Sequence, residues 1–134
     1  MYETMKLLEE YEVAPDGSYV RPLLSVGRGS LAHCTLPEAA VSEAVKHRSI
    51  DEIWYFIEGE GQVWRRFSER EETVDVGPGV CITIPVGTEF QFRNKGEGPL
   101  RFLCFTMPPW PGDEEAVKVR GRWEPQTRNE VDDH

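Results

Sequence analysis

The chain has 134 residues, enough for one modest hydrophobic core and too few for several domains. Hydrophobic residues are 39% and no apolar run nears the ~20 residues that span a bilayer, so no membrane partner is expected. The net charge of −9 opposes phosphate backbones, which argues against nucleic acid as a partner. The N-terminus lacks a basic stretch followed by an apolar one, and a cytoplasmic protein is expected by default. Cys34, Cys81 and Cys104 are widely spaced with no C-x-x-C pair, and read as buried thiols rather than a disulfide frame.

In chain order, residues 3–11 carry Met5, Leu8 and Tyr11 at helical spacing and predict a short N-terminal helix or turn. Turn signals then recur at short intervals, among them Asp16-Gly17, Gly77-Pro78-Gly79 and Pro85-Val86-Gly87. The β-branched and aromatic runs between them predict strands over 19–26, 31–36, 53–57, 62–67, 80–84, 90–92 and 100–107. Pro22 places the first of these at or near a sheet edge. Many short strands with little helix argue for an all-β sandwich or barrel. After residue 107, three prolines around Trp110 impose a stiff extended path. It either lids the barrel mouth or packs along the outside or into a partner. The polar tail, 126–134, is expected to be loosely held.

Strand alternation sorts side chains by face. Glu52, Trp54 and Phe56 share one face, and Ile53, Tyr55 and Ile57 the other. Phe90 and Phe92 lie together, opposite Glu89 and Gln91. Ala32, Cys34 and Leu36 form the more apolar side of their strand, which turns His33 outward. Cys34 and His33 therefore make no nucleophile–base pair.

Two stretches carry a more specific signal. The first runs from Val45 through His47 and Glu52 to Gly59; the second from Gly79 through Pro85, Gly87 and Phe90 to Asn94. Together they resemble the signature motifs of the cupin superfamily, G-x5-H-x-H-x3,4-E-x6-G and G-x5-P-x-G-x2-H-x3-N. The resemblance covers roughly residues 20–107 and leaves 108–134 as a C-terminal extension of one domain. It implies an all-β, jelly-roll-like barrel, the double-stranded β-helix, and often a dimer. Three positions depart from the pattern. Ala39 stands where the opening Gly belongs, Val45 where the first His belongs, and Phe90 where the last His belongs.

His47 and Glu52 match the remaining two residues of the family's metal set, and two protein ligands are thin for tight binding. The resemblance thus implies no four-ligand centre, and at most a weakly bound divalent transition metal on His47, Glu52 and, if it turned inward, His33. If Glu52 points into the barrel, Trp54, Phe56, Phe90 and Phe92 make an aromatic small-molecule pocket or fill the core. Three functions stay open. One is a metal-free enzyme of isomerase, dehydratase or cyclase type, with His47 and Glu52 as its acid/base pair. The others are a metal-dependent dioxygenase or isomerase with a reduced site, and a non-catalytic small-ligand binder. Ile53, Tyr55 and Ile57 need cover, for which a homodimer is expected.

Overall fold

A computed structural model describes residues 1–126. Its strands are β1 (Glu12–Val13), β2 (Tyr19–Val26), β3 (Gly29–Leu36), β4 (Val45–His47), β5 (Asp51–Glu58), β6 (Gly61–Phe67), β7 (Arg70–Val76), β8 (Cys81–Ile84), β9 (Glu89–Asn94), β10 (Leu100–Met107) and β11 (Ala116–Lys118). They form two antiparallel sheets, ordered β1-β2-β3-β10-β5-β8 and β11-β4-β9-β6-β7. The all-β, two-sheet architecture expected from the turn spacing is the one found. No helix of the described residues is long and apolar enough to cross a membrane.

The core lies between the sheets and is mostly aromatic. On β5 the alternation is clean: Glu52, Trp54 and Phe56 are buried while Ile53, Tyr55 and Ile57 are exposed. Phe90, Phe92 and Phe102 meet them from β9 and β10. Trp54 stacks on Phe102 at 4.3 Å between centroids and meets Phe90 and Phe92 edge-on at 5.4 and 5.1 Å. Such pairs each add about 0.5–1.5 kcal/mol beyond burial.

Motif residues hold the turns. Asn94 Nδ2 donates to the carbonyls of Leu36, Pro37 and Gly98, and its Oδ1 accepts from Gly96 N–H. Gly59 has φ 88°, and a Cβ there would collide with the Pro99 carbonyl. Gln91 points away from the barrel yet is fully buried. Residues after β11 cover it, with Arg122 and Trp123 N–H donating to its Oε1 and its Nε2 donating to the Ser42 and Trp123 carbonyls.

Several expectations need correction. Residues 3–11 form no helix: Met5, Leu8 and Tyr11 are all exposed, so the helical spacing has no surface to bury. Tyr11 instead stacks on Tyr19 at 4.2 Å. Cys34 and Cys104 are buried, but Cys81 is exposed, because its strand position faces outward on edge strand β8. At the start of the tail, Gln126 bridges to Val41; the expectation for the rest of it, 127–134, lies outside the described residues. Pro22 lies on β2, beyond the two residues that β1 covers, and the β2–β3 register shifts just after it.

Ala39 replaces the motif glycine at φ 67°, a left-handed conformation that costs a Cβ-bearing residue about 1–2 kcal/mol. Ala39→Gly should therefore raise stability by about 1 kcal/mol, since relief of strain exceeds the extra unfolded-state entropy of glycine. Denaturant unfolding checks this; an unchanged or lower midpoint would show that the position carries no strain.

Candidate functional site

His47 ends β4 and Glu52 is the second residue of β5, so the short connection between them decides whether they meet. Glu115 fixes that connection. Its carboxylate accepts Ser49 N–H at 2.6 Å, Ser49 Oγ at 2.7 Å and Ile50 N–H at 2.9 Å. Arg48 N–H donates to the Glu115 carbonyl as well. The bend brings His47 Nδ1 to 3.9 Å from Glu52 Oε1, and both residues are 5% exposed.

That separation is too long for a hydrogen bond. Among the described residues His47 Nδ1 has no hydrogen-bond partner although it is buried. Glu52 Oε1 accepts the Trp54 indole N–H at 2.8 Å, and the Cys104 thiol also bonds to Glu52. Burial pushes the Glu52 carboxyl up to about 7, against the two hydrogen bonds and helped by the negative charges of Asp16 and Glu115. Burial pulls His47 down to about 4, with Glu115 opposing. The two groups are therefore no ion pair near pH 7: the imidazole is neutral and the carboxyl is shared between its two forms.

Both open onto a cavity of about 580 Å³. Trp54, Phe90 and Phe102 make its aromatic wall, and Val45 and Ala32 add apolar surface. Phe56 and Phe92, expected to line the pocket, do not; they are fully buried in the core among the other aromatics. His33 does not line the cavity; it lies opposite Arg21 in the β2–β3 register and is buried, 8% exposed. Burial, and then Arg21 and Arg101, lower its pKa.

Several cavity residues escaped sequence reasoning. In the sequence Asp16 carries only a turn signal, beside Gly17. It accepts Ser18 N–H at 2.9 Å and Ser18 Oγ at 2.6 Å, and burial raises its pKa despite those bonds. Cys34 and Cys104 line the cavity as free thiols, and a hydrogen bond with Cys34 together with burial holds Cys104 far above the usual thiol range, so it is no thiolate nucleophile. Pro109, Trp110 and Gly112 of the proline-rich segment line the cavity. Trp110 N–H donates to Ser30 Oγ at 3.1 Å, and its ring meets His47 edge-on at 5.6 Å.

The usual metal set does not fit here. Val45 and Phe90 are buried directly across from each other on β4 and β9, and neither side chain has a donor atom. Among the described residues no three of His, Cys, Asp and Glu are grouped so as to hold a metal ion.

Comparison with known proteins agrees with this architecture. The Cupin domain family profile matches residues 32–106, more than half of the chain, which belongs to that family. The chain is 31% identical over 125 residues to the uncharacterized protein MJ1618 of Methanocaldococcus jannaschii, covering 85% of this chain and 97% of that one. Among solved structures, BH2720 of Bacillus halodurans superposes with a TM-score of 0.63 at 22% identity, over 74% of this chain and 75% of that one. Bacillus subtilis oxalate decarboxylase, an enzyme with Mn(II) centres, superposes with a TM-score of 0.72 at 22% identity. The match covers 84% of this chain and 31% of that enzyme. These likenesses establish the fold.

The raised carboxyl has a consequence for stability. A Glu that titrates near 4.5 when unfolded and about 7 when folded binds its proton more tightly in the folded state. Its contribution is therefore lost as pH rises from 4.5 through 7, on the order of 3 kcal/mol in all. Glu52→Gln should be about as stable as the wild type near pH 4.5 and more stable by a few kcal/mol near pH 8. Parallel unfolding curves at the two pH values check this; a variant equally destabilised at both would show that Glu52 is not desolvated.

Proposed function

We propose that this chain is a small-molecule enzyme that moves a proton with Glu52 and His47, in the manner of an isomerase, dehydratase or cyclase. The carrying observation is a buried carboxyl that titrates at about 7, beside a neutral imidazole with an unpartnered Nδ1, in one cavity. A carboxyl titrating near the working pH is the efficient general acid/base. Trp54 fixes its orientation, and Trp110 narrows solvent access above His47. In turnover Glu52 takes a proton from, or gives one to, a substrate carbon or oxygen, and neutral His47 offers Nδ1 as a hydrogen-bond acceptor that orients the substrate. The residues in hand ask for no metal in that step.

The test is solvent exchange. The full chain is incubated in D2O with a panel of amines, ketones and hydroxy acids that carry acidic C–H bonds, and deuterium uptake is followed by NMR. A hit should slow about 100-fold or more in Glu52→Gln, the usual worth of a general base. Equal rates in the wild type, Glu52→Gln and His47→Gln would defeat the reading and leave a binding domain.

We also propose that the outer face of the β10–β5 region is covered by a second copy of the chain. Ile53, Tyr55, Ile57 and Phe105 form an exposed apolar patch on adjacent strands, each between 36% and 42% exposed. A two-fold contact buries the same patch on both copies. Sedimentation equilibrium should give twice 15.3 kDa at micromolar concentration, and Tyr55→Glu should shift it to monomer. A wild-type monomer under those conditions would rule the dimer out.

A further inference from the structure

The charge of the cavity is one-sided. Four carboxyl side chains line it, from separate parts of the chain: Glu12 on β1, Asp16 in the following turn, Glu52 on β5 and Asp113 after the proline segment. No Lys or Arg is among the described residues that line it. Exposure grades from Glu52 at the buried end, through the half-buried Asp16, to the exposed Glu12 and Asp113. An anion entering this cavity would meet four acids and no counter-charge, in surroundings dry enough to push two of those acids towards their neutral forms. A cation would relieve the same penalty.

The acids alone would be a solvated cluster. The second observation is His47, 5% exposed, lining the cavity and with Nδ1 unpartnered among the described residues. Carrying its proton on Nε2, the imidazole offers Nδ1 as an acceptor. His47 Nδ1 and Glu52 Oε1 stand 3.9 Å apart, slightly less than the ~4.6 Å between two acceptors of one ammonium group, so a small parting of the two side chains lets one such group donate to both. The Trp110 ring borders His47, while Trp54, Phe90 and Phe102 wall the cavity. Aromatic faces together with carboxylates are the set that recognises organic cations.

We propose that this cavity takes an organic cation, a protonated amine whose ammonium group bridges Glu52 and His47 Nδ1 while its carbon skeleton lies against the aromatic wall. The inference rests on the proposed acid/base site and names its substrate class. The groups facing Glu52 are His47 from β4, Cys104 from β10 and Asp16 from the turn before β2, with Cys34 of β3 behind Cys104 and the Glu115 charge beyond His47. None of them supplies a competing positive charge near neutral pH.

Calorimetry on the full-length protein at about pH 8, with benzylamine, benzyl alcohol and benzoate as matched probes, decides the matter. Benzylamine should bind at least about ten-fold more tightly than the alcohol, the worth of one charge-assisted hydrogen bond, and benzoate most weakly. Glu52→Gln should weaken benzylamine at least about ten-fold, towards the level of the alcohol. The proposal is overturned if benzoate matches benzylamine, if amine and alcohol bind alike, if benzylamine is indifferent to Glu52→Gln, or if no probe binds at about 10 mM. These outcomes are separate from turnover. Glu52-dependent deuterium exchange without a cation preference would sink this inference and leave the acid/base reading intact. A cation preference without exchange on any substrate would do the reverse.

Discussion

The indole of Trp54 joins the core to the candidate site. Its ring stacks on Phe102 and meets Phe56, Phe90 and Phe92, so four aromatic neighbours from three strands fix its plane. Its N–H has one good acceptor, Glu52 Oε1, two residues away on the same face of β5. A buried indole N–H without a partner is costly, and so is a buried carboxyl without donors. Each group satisfies the other, and the rigid member sets the position of the flexible one. The packing that stabilises the barrel therefore also orients the carboxyl.

Much of this was legible in the sequence, for identifiable reasons. Period-2 alternation put Glu52, Trp54 and Phe56 on one face, because β5 is central in its sheet and its two faces meet different surroundings. The motif frame survived in Gly59, Gly79 and Gly87, whose positive φ serves local turns, and in Asn94, which ties its own turn to the end of β3. Other features needed tertiary information. β7 reads Arg-Glu-Glu-Thr-Val-Asp-Val, too polar to announce a strand, and forms by pairing along the whole of β6. β4 and β11 are three residues each and are defined mainly by each other and by β9. The spacing of Met5, Leu8 and Tyr11 misled because periodicity reports a possible apolar face, while a helix needs something to pack it against. Asp16 looked like a turn residue and is one; that the turn hangs over the cavity depends on where β1 and β2 sit. Trp110 is similar, since an extended path was evident and its direction was not.

The departures at Val45 and Phe90 change more than the number of possible ligands. A divalent ion in a carboxylate–imidazole site holds the carboxyl ionised by its own charge. Here the facing positions of β4 and β9 are aliphatic and aromatic, so they exclude water and supply no charge. Burial then outweighs the hydrogen bonds from Trp54 and Cys104, and Glu52 moves upward. The same substitutions that remove donor atoms thus create a carboxyl able to exchange a proton at neutral pH. Among the described residues that line the cavity, no Lys or Arg offsets its acids.

The fold tolerates this arrangement because the two buried groups oppose one another. Glu52 binds its proton more tightly in the folded state, so its contribution to stability falls as pH rises from 4.5 to about 7. His47 binds its proton less tightly when folded, so its contribution is lost as pH falls from 6.5 to about 4. The windows overlap almost entirely and the slopes have opposite signs. Between them the folded state holds a proton on Glu52 that the unfolded chain would hold on its histidine, and the proton count changes little on unfolding. A lone desolvated carboxyl would make the barrel progressively less stable towards neutral pH, where it would be most useful as an acid or base. Pairing it with a desolvated imidazole removes most of that dependence while leaving the carboxyl poised.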